Sequence, residues 1–152
     1  MLPTPKKFTL VAGGAEGKSR LNAFDHALLA SGIGNLNLLK VSSILPPDTE
    51  FAENLEIPPG SLTPTAYGSI ISDVPGEIIS AAVAVGLSAD TFGVIMEFSG
   101  RCSQQEAEAK VTRMAEEAFE SRGLVLKQVM VKAVEHRVVS TGCAFAAVAL
   151  WY

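Results

Sequence analysis

The sequence predicts an α+β domain with mostly antiparallel sheets, and three observations carry that reading. Residues 19–31 and 104–122 place apolar side chains at helical spacing, and each run stops at a glycine. Six or seven short runs are rich in Val, Ile, Thr and Phe. The order is strand, helix, strands, helix, strands, which suggests sheets faced by helices. With 152 residues, no repeat and no linker, the chain reads as a single domain spanning 1–152.

Residues 7–12 open with a strand, since Phe8, Thr9, Leu10 and Val11 are β-formers. Residues 13–17 read as a glycine-rich loop. The helix over 19–31 has Ser19 as N-cap, Leu21, Phe24, Ala27 and Leu28 on its apolar face, and Gly32 as its stop. Residues 35–43 read as a strand. Residues 45–63 hold Pro46, Pro47, Pro58 and Pro59 and form a long surface excursion. Loops of that length inside a small domain are usually functional.

Residues 66–74 form a strand ending in the Pro75-Gly76 turn. Residues 78–86 read as a strand because Ile and Val dominate, although the alanines also suit a helix. Residues 91–99 are a further strand. Ser103-Gln104-Gln105-Glu106 is a capping box for the second helix. Ala107, Val111, Met114, Ala115, Ala118 and Phe119 make the apolar face of that helix. Residues 124–139 and 142–151 read as two antiparallel strands joined at Ser140-Thr141.

The chain is 48% hydrophobic and 18% charged, more apolar than a lone small domain can hide, which predicts a homo-oligomer. A net charge of −4 with no basic run argues against nucleic acid and slightly favours a cationic substrate. No apolar core follows Lys6-Lys7, so no signal peptide is expected, and no apolar run is long enough to span a membrane. Cys102 and Cys143 match no metal spacing and read as reduced thiols in a cytoplasm. Two histidines, His26 and His136, exclude a His-rich metal site.

Ser42-Ser43 stands where a strand meets Pro46-Pro47, a place where the backbone can be held under strain. The Ser43 hydroxyl can then attack the Ser42 carbonyl; the bland alternative is two turn hydroxyls bonding nearby backbone. Asn37, six residues before Ser43, offers an amide to the oxyanion of that attack, or else bonds local backbone. Glu97 follows Val94-Ile95-Met96, so burial can raise its pKa for general-acid work; the alternative is an outward carboxylate. Asp25 can meet a cationic group, or stand solvated on its helix. Asp73 and Glu77 read as turn-fixing.

Residues 12–19 have the strand–loop–helix context of a phosphate loop, but Ala12 stands where glycine is needed and Glu16 would oppose the phosphates. A connecting loop is the better reading. A nucleotide-binding module built on Gly13 to Ser19 remains the rival from another class.

Seven segments, in order, carry a resemblance. They are Leu21-Asn22-Ala23-Phe24-Asp25, Gly32-Ile33-Gly34-Asn35-Leu36-Asn37, Ser42-Ser43-Ile44-Leu45-Pro46-Pro47, Pro64-Thr65-Ala66-Tyr67-Gly68, Ile71-Ser72-Asp73-Val74-Pro75-Gly76-Glu77, Ile95-Met96-Glu97 and Gly142-Cys143-Ala144-Phe145-Ala146-Ala147. Together they resemble the pyruvoyl-dependent arginine decarboxylases over residues 9–152. The resemblance implies a four-layer αββα sandwich. It implies a proenzyme that cleaves itself into 1–42 and 43–152, leaving a covalent pyruvoyl group made from Ser43. Arginine would be decarboxylated to agmatine and CO2 through a Schiff base to that group, with no metal and no pyridoxal phosphate.

The resemblance further implies Glu97 as proton donor and Leu21, Asp25, Gly34, Leu36 and Ile44 as lining of a substrate pocket straddling two subunits. It suggests trimers of the cleaved pair, or a dimer of such trimers. His26, where a small residue is expected, alters the pocket's shape and not its chemistry. Asp25 does not by itself separate arginine from lysine or ornithine, so a pyruvoyl decarboxylase of another amino acid stays open. So does an uncleaved oligomeric scaffold.

Overall fold

Strands built from the two halves of the chain interleave in two sheets. The structure is a computed structural model, and it describes residues 2–152. Its elements are β1 (Lys7–Glu16), α1 (Arg20–Ser31), β2 (Asn37–Lys40), β3 (Ile44–Leu45), β4 (Glu50–Phe51), β5 (Leu62–Ser72), β6 (Ile78–Leu87), β7 (Gly93–Gly100), α2 (Gln104–Ser121), β8 (Gln128–Arg137) and β9 (Gly142–Trp151). One sheet has the order β2-β5-β9-β1-β4, the other β3-β7-β6-β8. Pairing is antiparallel except β1 with β4 and β2 with β5. The fold class is therefore α+β with mostly antiparallel sheets.

The largest apolar cluster joins the sheets: Phe8, Ala66, Ala144, Ala146 and Val148 meet Ile79, Val83, Val85 and Ile95. A second cluster seats α1 on the first sheet through Ala23, Ala27 and Leu28 against Phe145 and Ala147. A third seats α2 on the second sheet through Ala107, Val111 and Ala115 against Ala82 and Ala84. Strand β6 is thus covered on both faces, which explains its unbroken apolar run and settles it as a strand. Among the described residues, no helix is long and apolar enough to cross a membrane.

Both helix starts match their expected caps. The Ser19 side chain accepts from Asn22 N–H, and Ser103 from Glu106 N–H. Gly32 ends α1 at φ 92°, a conformation costly for any other residue. Pro64 sits inside β5, but only β2 flanks the strand there. Pairing with β9 begins at Thr65, so the missing N–H breaks no ladder bond.

Four expectations are corrected. Residues 13–16 are not a loop: β1 runs on through Glu16, paired with Phe145 to Gly142 of β9. The glycines mark close approach, since a Cβ at Gly13 would lie 2.6 Å from the Ala27 carbonyl oxygen. Strands β8 and β9 do not pair; Ser140-Thr141 carries the chain from the second sheet to the first. The strand expected over 35–43 is only Asn37–Lys40, and the chain then crosses between sheets. Leu21 is not on the buried face of α1; it is 77% exposed.

Gly13→Ala should therefore force α1 off the first sheet. The expected loss is about 1–3 kcal/mol of stability, as for other overpacked sites. A chemical-denaturation midpoint equal to that of the unchanged chain would disprove the close-approach account.

Candidate active site

The bond between Ser42 and Ser43 lies in the crossover from β2 to β3. The Val41 N–H donates to the Thr65 carbonyl at 3.1 Å, tying the chain to the first sheet. The Ile95 N–H donates to the Ser43 carbonyl at 2.7 Å, tying it to the second. Ser42 is exposed and Ser43 half-buried between these two anchors. Neither serine has positive φ; among non-glycines of the described residues only Asp48 does, at 60°. The constraint on this bond is a tether to both sheets, with no left-handed backbone.

Glu97 lies two residues along β7 from Ile95, roughly 7 Å, and on the same face of the strand. That face looks into the space between the sheets, as Ile95 does in the core. Opposite it on β5 is Gly68, where a Cβ would stand 3.5 Å from Glu97 Cβ. The side chain is 31% exposed. Burial pushes its carboxyl above the ordinary range, and the Lys40 ammonium at 3.8 Å opposes this without cancelling it. Ser43 is thus tied to Ile95, two residues from Glu97 on one face of β7, and the Glu97 side chain is partly buried on the side facing the first sheet.

Lys40 and Tyr67 complete this corner. The Lys40 Nζ also lies 4.5 Å from the centre of the Tyr67 ring. Sequence reasoning missed both as site residues. No local signal marks either: a lysine on an edge strand reads as a solvated charge.

The other expected residues are dispersed. Ile44 is adjacent, paired with Val94 and 43% exposed. Leu36 packs in the cluster under α1. Gly34 lies against Leu29, where a Cβ would meet Leu29 Cα at 2.8 Å. Leu21 and Asp25 sit one turn apart on the exposed side of α1. Helix α1 packs on the face of the first sheet that carries Tyr67, opposite the core shared by the two sheets. The Asn37 amide donates to the Gly60 carbonyl at 2.9 Å, holding the end of the proline-rich excursion.

The phosphate-loop alternative is left with only residues 17–19 between β1 and α1. Gly13, Gly14, Ala15 and Glu16 are strand residues paired with β9, and Glu16 is engaged by His136 and by the N–H groups of Ser140 and Thr141. Asp73 bonds Arg20 and Thr141, and Glu77 bonds Ser72 and Arg101, in keeping with turn-fixing roles. Burial pushes the Cys143 thiol up to about 11, which makes it inert.

The family described as Pyruvoyl-dependent arginine decarboxylase (PvlArgDC) matches residues 7–152. The chain belongs to that family. A protein of Methanocaldococcus jannaschii named pyruvoyl-dependent arginine decarboxylase is 55% identical over 150 residues, 97% of this chain and 91% of the relative. Proteins of the same name from Methanococcus vannielii and Pyrococcus abyssi are 48% and 50% identical, covering 97% and 87% of this chain and 92% and 85% of their own lengths. Membership in the pyruvoyl-dependent family identifies the prosthetic group as pyruvoyl. A serine at position 43, with its carbonyl already held by Ile95, fits that group.

Proposed function

We propose that this chain cleaves itself between Ser42 and Ser43 and then decarboxylates L-arginine to agmatine and CO2. The observation that carries the reading is the Ser42-Ser43 bond tethered to both sheets beside a partly buried Glu97. The Ser43 hydroxyl attacks the Ser42 carbonyl, and the amide becomes an ester. Loss of the Cα proton of residue 43 expels the Ser42 carboxylate. The resulting dehydroalanine tautomerises, and water releases ammonia. The products are 1–42 and 43–152.

The pyruvoyl group supplies a ketone electrophile and an electron sink for loss of CO2. The chain's own residues do the rest. The Ile95 N–H fixes the carbonyl of residue 43. Glu97, its carboxyl raised by burial, returns a proton to the substrate Cα. Asp25 reads the guanidinium at the pocket formed with Leu21, Gly34, Leu36 and Ile44. Asp25 stands exposed on α1, which supports reading that pocket as shared between two copies. Asn37 is five residues, roughly 16 Å, from Ser42 along extended chain. Any oxyanion contact from Asn37 comes from the neighbouring copy as well. The assembly is a homotrimer of cleaved pairs, or two such trimers, working in the cytoplasm. The two helices on the outer faces of two stacked sheets support the αββα reading of the layers.

Intact mass under denaturing conditions, followed by amine release from arginine, lysine and ornithine, tests the proposal. Two fragments and agmatine from arginine alone are expected. A single full-length mass, or equal release from all three substrates, would overturn it. Glu97→Gln keeps the shape and removes the acid, so turnover of the cleaved enzyme should fall about 10²-fold or more. Near-normal turnover in that variant would remove Glu97 from the role.

A further inference from the structure

We infer that Lys40 is a positioning residue for the proton donor: its ammonium, seated over the Tyr67 ring, holds the Glu97 carboxyl beside residue 43. The inference rests on the reading of Glu97 as general acid and adds a residue to it. Lys40 ends β2, the edge strand of the first sheet, with Thr65 of β5 as its register partner. From that edge its side chain reaches both Tyr67 on β5 and Glu97 on β7 of the other sheet. The ring contact at 4.5 Å is within cation–π range and restrains a long, flexible side chain. Lys40 therefore spans the two sheets two residues before the bond that must break. After cleavage it belongs to 1–42, while Tyr67 and Glu97 belong to 43–152.

The pair is not a stability device. Its N···O distance is 3.8 Å, and the two side chains are 55% and 31% exposed, the geometry of a weak ion pair. Its effect falls on charge. Burial favours the protonated Glu97 carboxyl, and the Lys40 ammonium favours the ionised one. The remaining charged groups around Glu97 stand further off. Lys132 of β8 lies on the far side of Val83, roughly 10 Å away across two strand spacings. Arg101, four residues on, is held by Glu77. Gly68 and Val83, the flanking residues on β5 and β6, carry no charge.

Without Lys40, burial acts alone and Glu97 keeps its proton to higher pH. A general acid works while protonated, so the alkaline limb of the turnover profile should move up in Lys40→Met. Lys40→Arg keeps the charge and should keep the limb in place. Loss of orientation should lower the plateau by no more than about 10²-fold, the cost of a small misplacement.

The first test needs no activity. In uncleaved Ser43→Ala protein with 13C-labelled glutamate, the Glu97 carboxyl is titrated by NMR and assigned by its absence in Glu97→Gln. Adding Lys40→Met or Lys40→Gln should move that titration upward, and adding Lys40→Arg should not. An unmoved titration in both neutral variants overturns the inference, whatever Glu97 does in catalysis. The second test is the pH profile of cleaved Lys40→Met enzyme, where an unmoved alkaline limb also overturns it. Normal turnover in Glu97→Gln, with the NMR shift intact, would instead overturn the assignment of Glu97 as the acid.

Discussion

Ser43→Ala is expected to leave one full-length chain with no pyruvoyl ketone and no decarboxylase activity. In the proposed reading the effect is complete because one residue has two consecutive duties. Its hydroxyl is the nucleophile that turns the Ser42 amide into an ester, and its carbon skeleton becomes the ketone that receives the substrate amine. Alanine removes the nucleophile without disturbing the anchors, since both bonds at the crossover are backbone bonds: Val41 N–H to Thr65 and Ile95 N–H to Ser43. The variant should therefore fold and assemble like the natural chain. Ser43→Cys should cleave slowly, because a thiol also undergoes acyl shift. Mass spectrometry decides the matter. If Ser43→Ala protein still splits between residues 42 and 43, another group is the nucleophile.

The residues that make this chemistry legible are close in sequence; what was illegible is non-local. Ser42, Ser43, Ile44 and the prolines after them share one segment, so the proposed cleavage site can be read from the sequence alone. That Glu97 turns inward does not, because period-two alternation leaves either face available until the pairing partner is known. The register Ile44 with Val94 and the glycine at position 68 decide the matter. The same limit explains β8 and β9. Their spacing suits a hairpin, and only the packing of whole sheets sends them to different layers.

Gly13 and Gly14 misled for a different reason. Glycine signals both a turn and a close approach, and here close approach wins: Gly13 lies against α1 and Gly14 against His136 of β8. Lys40 escaped notice because an edge-strand lysine is normally a solvated charge that deters sheet-to-sheet pairing. Nothing local announces that it has a carboxylate to reach in the second sheet.

Asp25→Asn should raise the KM for arginine by two or more powers of ten while leaving cleavage at Ser43 intact. Asp25 is exposed on α1. In an assembled pocket a desolvated carboxylate would meet the guanidinium. Removing one partner of such a pair costs on the order of 3–5 kcal/mol. Asparagine keeps the size and loses the charge, so the loss should fall on substrate capture and on agmatine binding alike. Cleavage is spared because the acyl shift needs only the Ser42-Ser43 bond and its anchors. An uncharged arginine analogue of similar length is the control: its slow turnover should change little. Equal losses for arginine and the analogue would mean that Asp25 supports the assembly and does not read the substrate. Mixing Asp25→Asn subunits with Ser43→Ala subunits tests the shared pocket directly. Each pocket that pairs a cleaved Ser43 with an intact Asp25 from its neighbour should regain arginine turnover, although neither variant alone is active at low substrate. No recovery in mixed oligomers would place Asp25 and residue 43 in the pocket of a single chain.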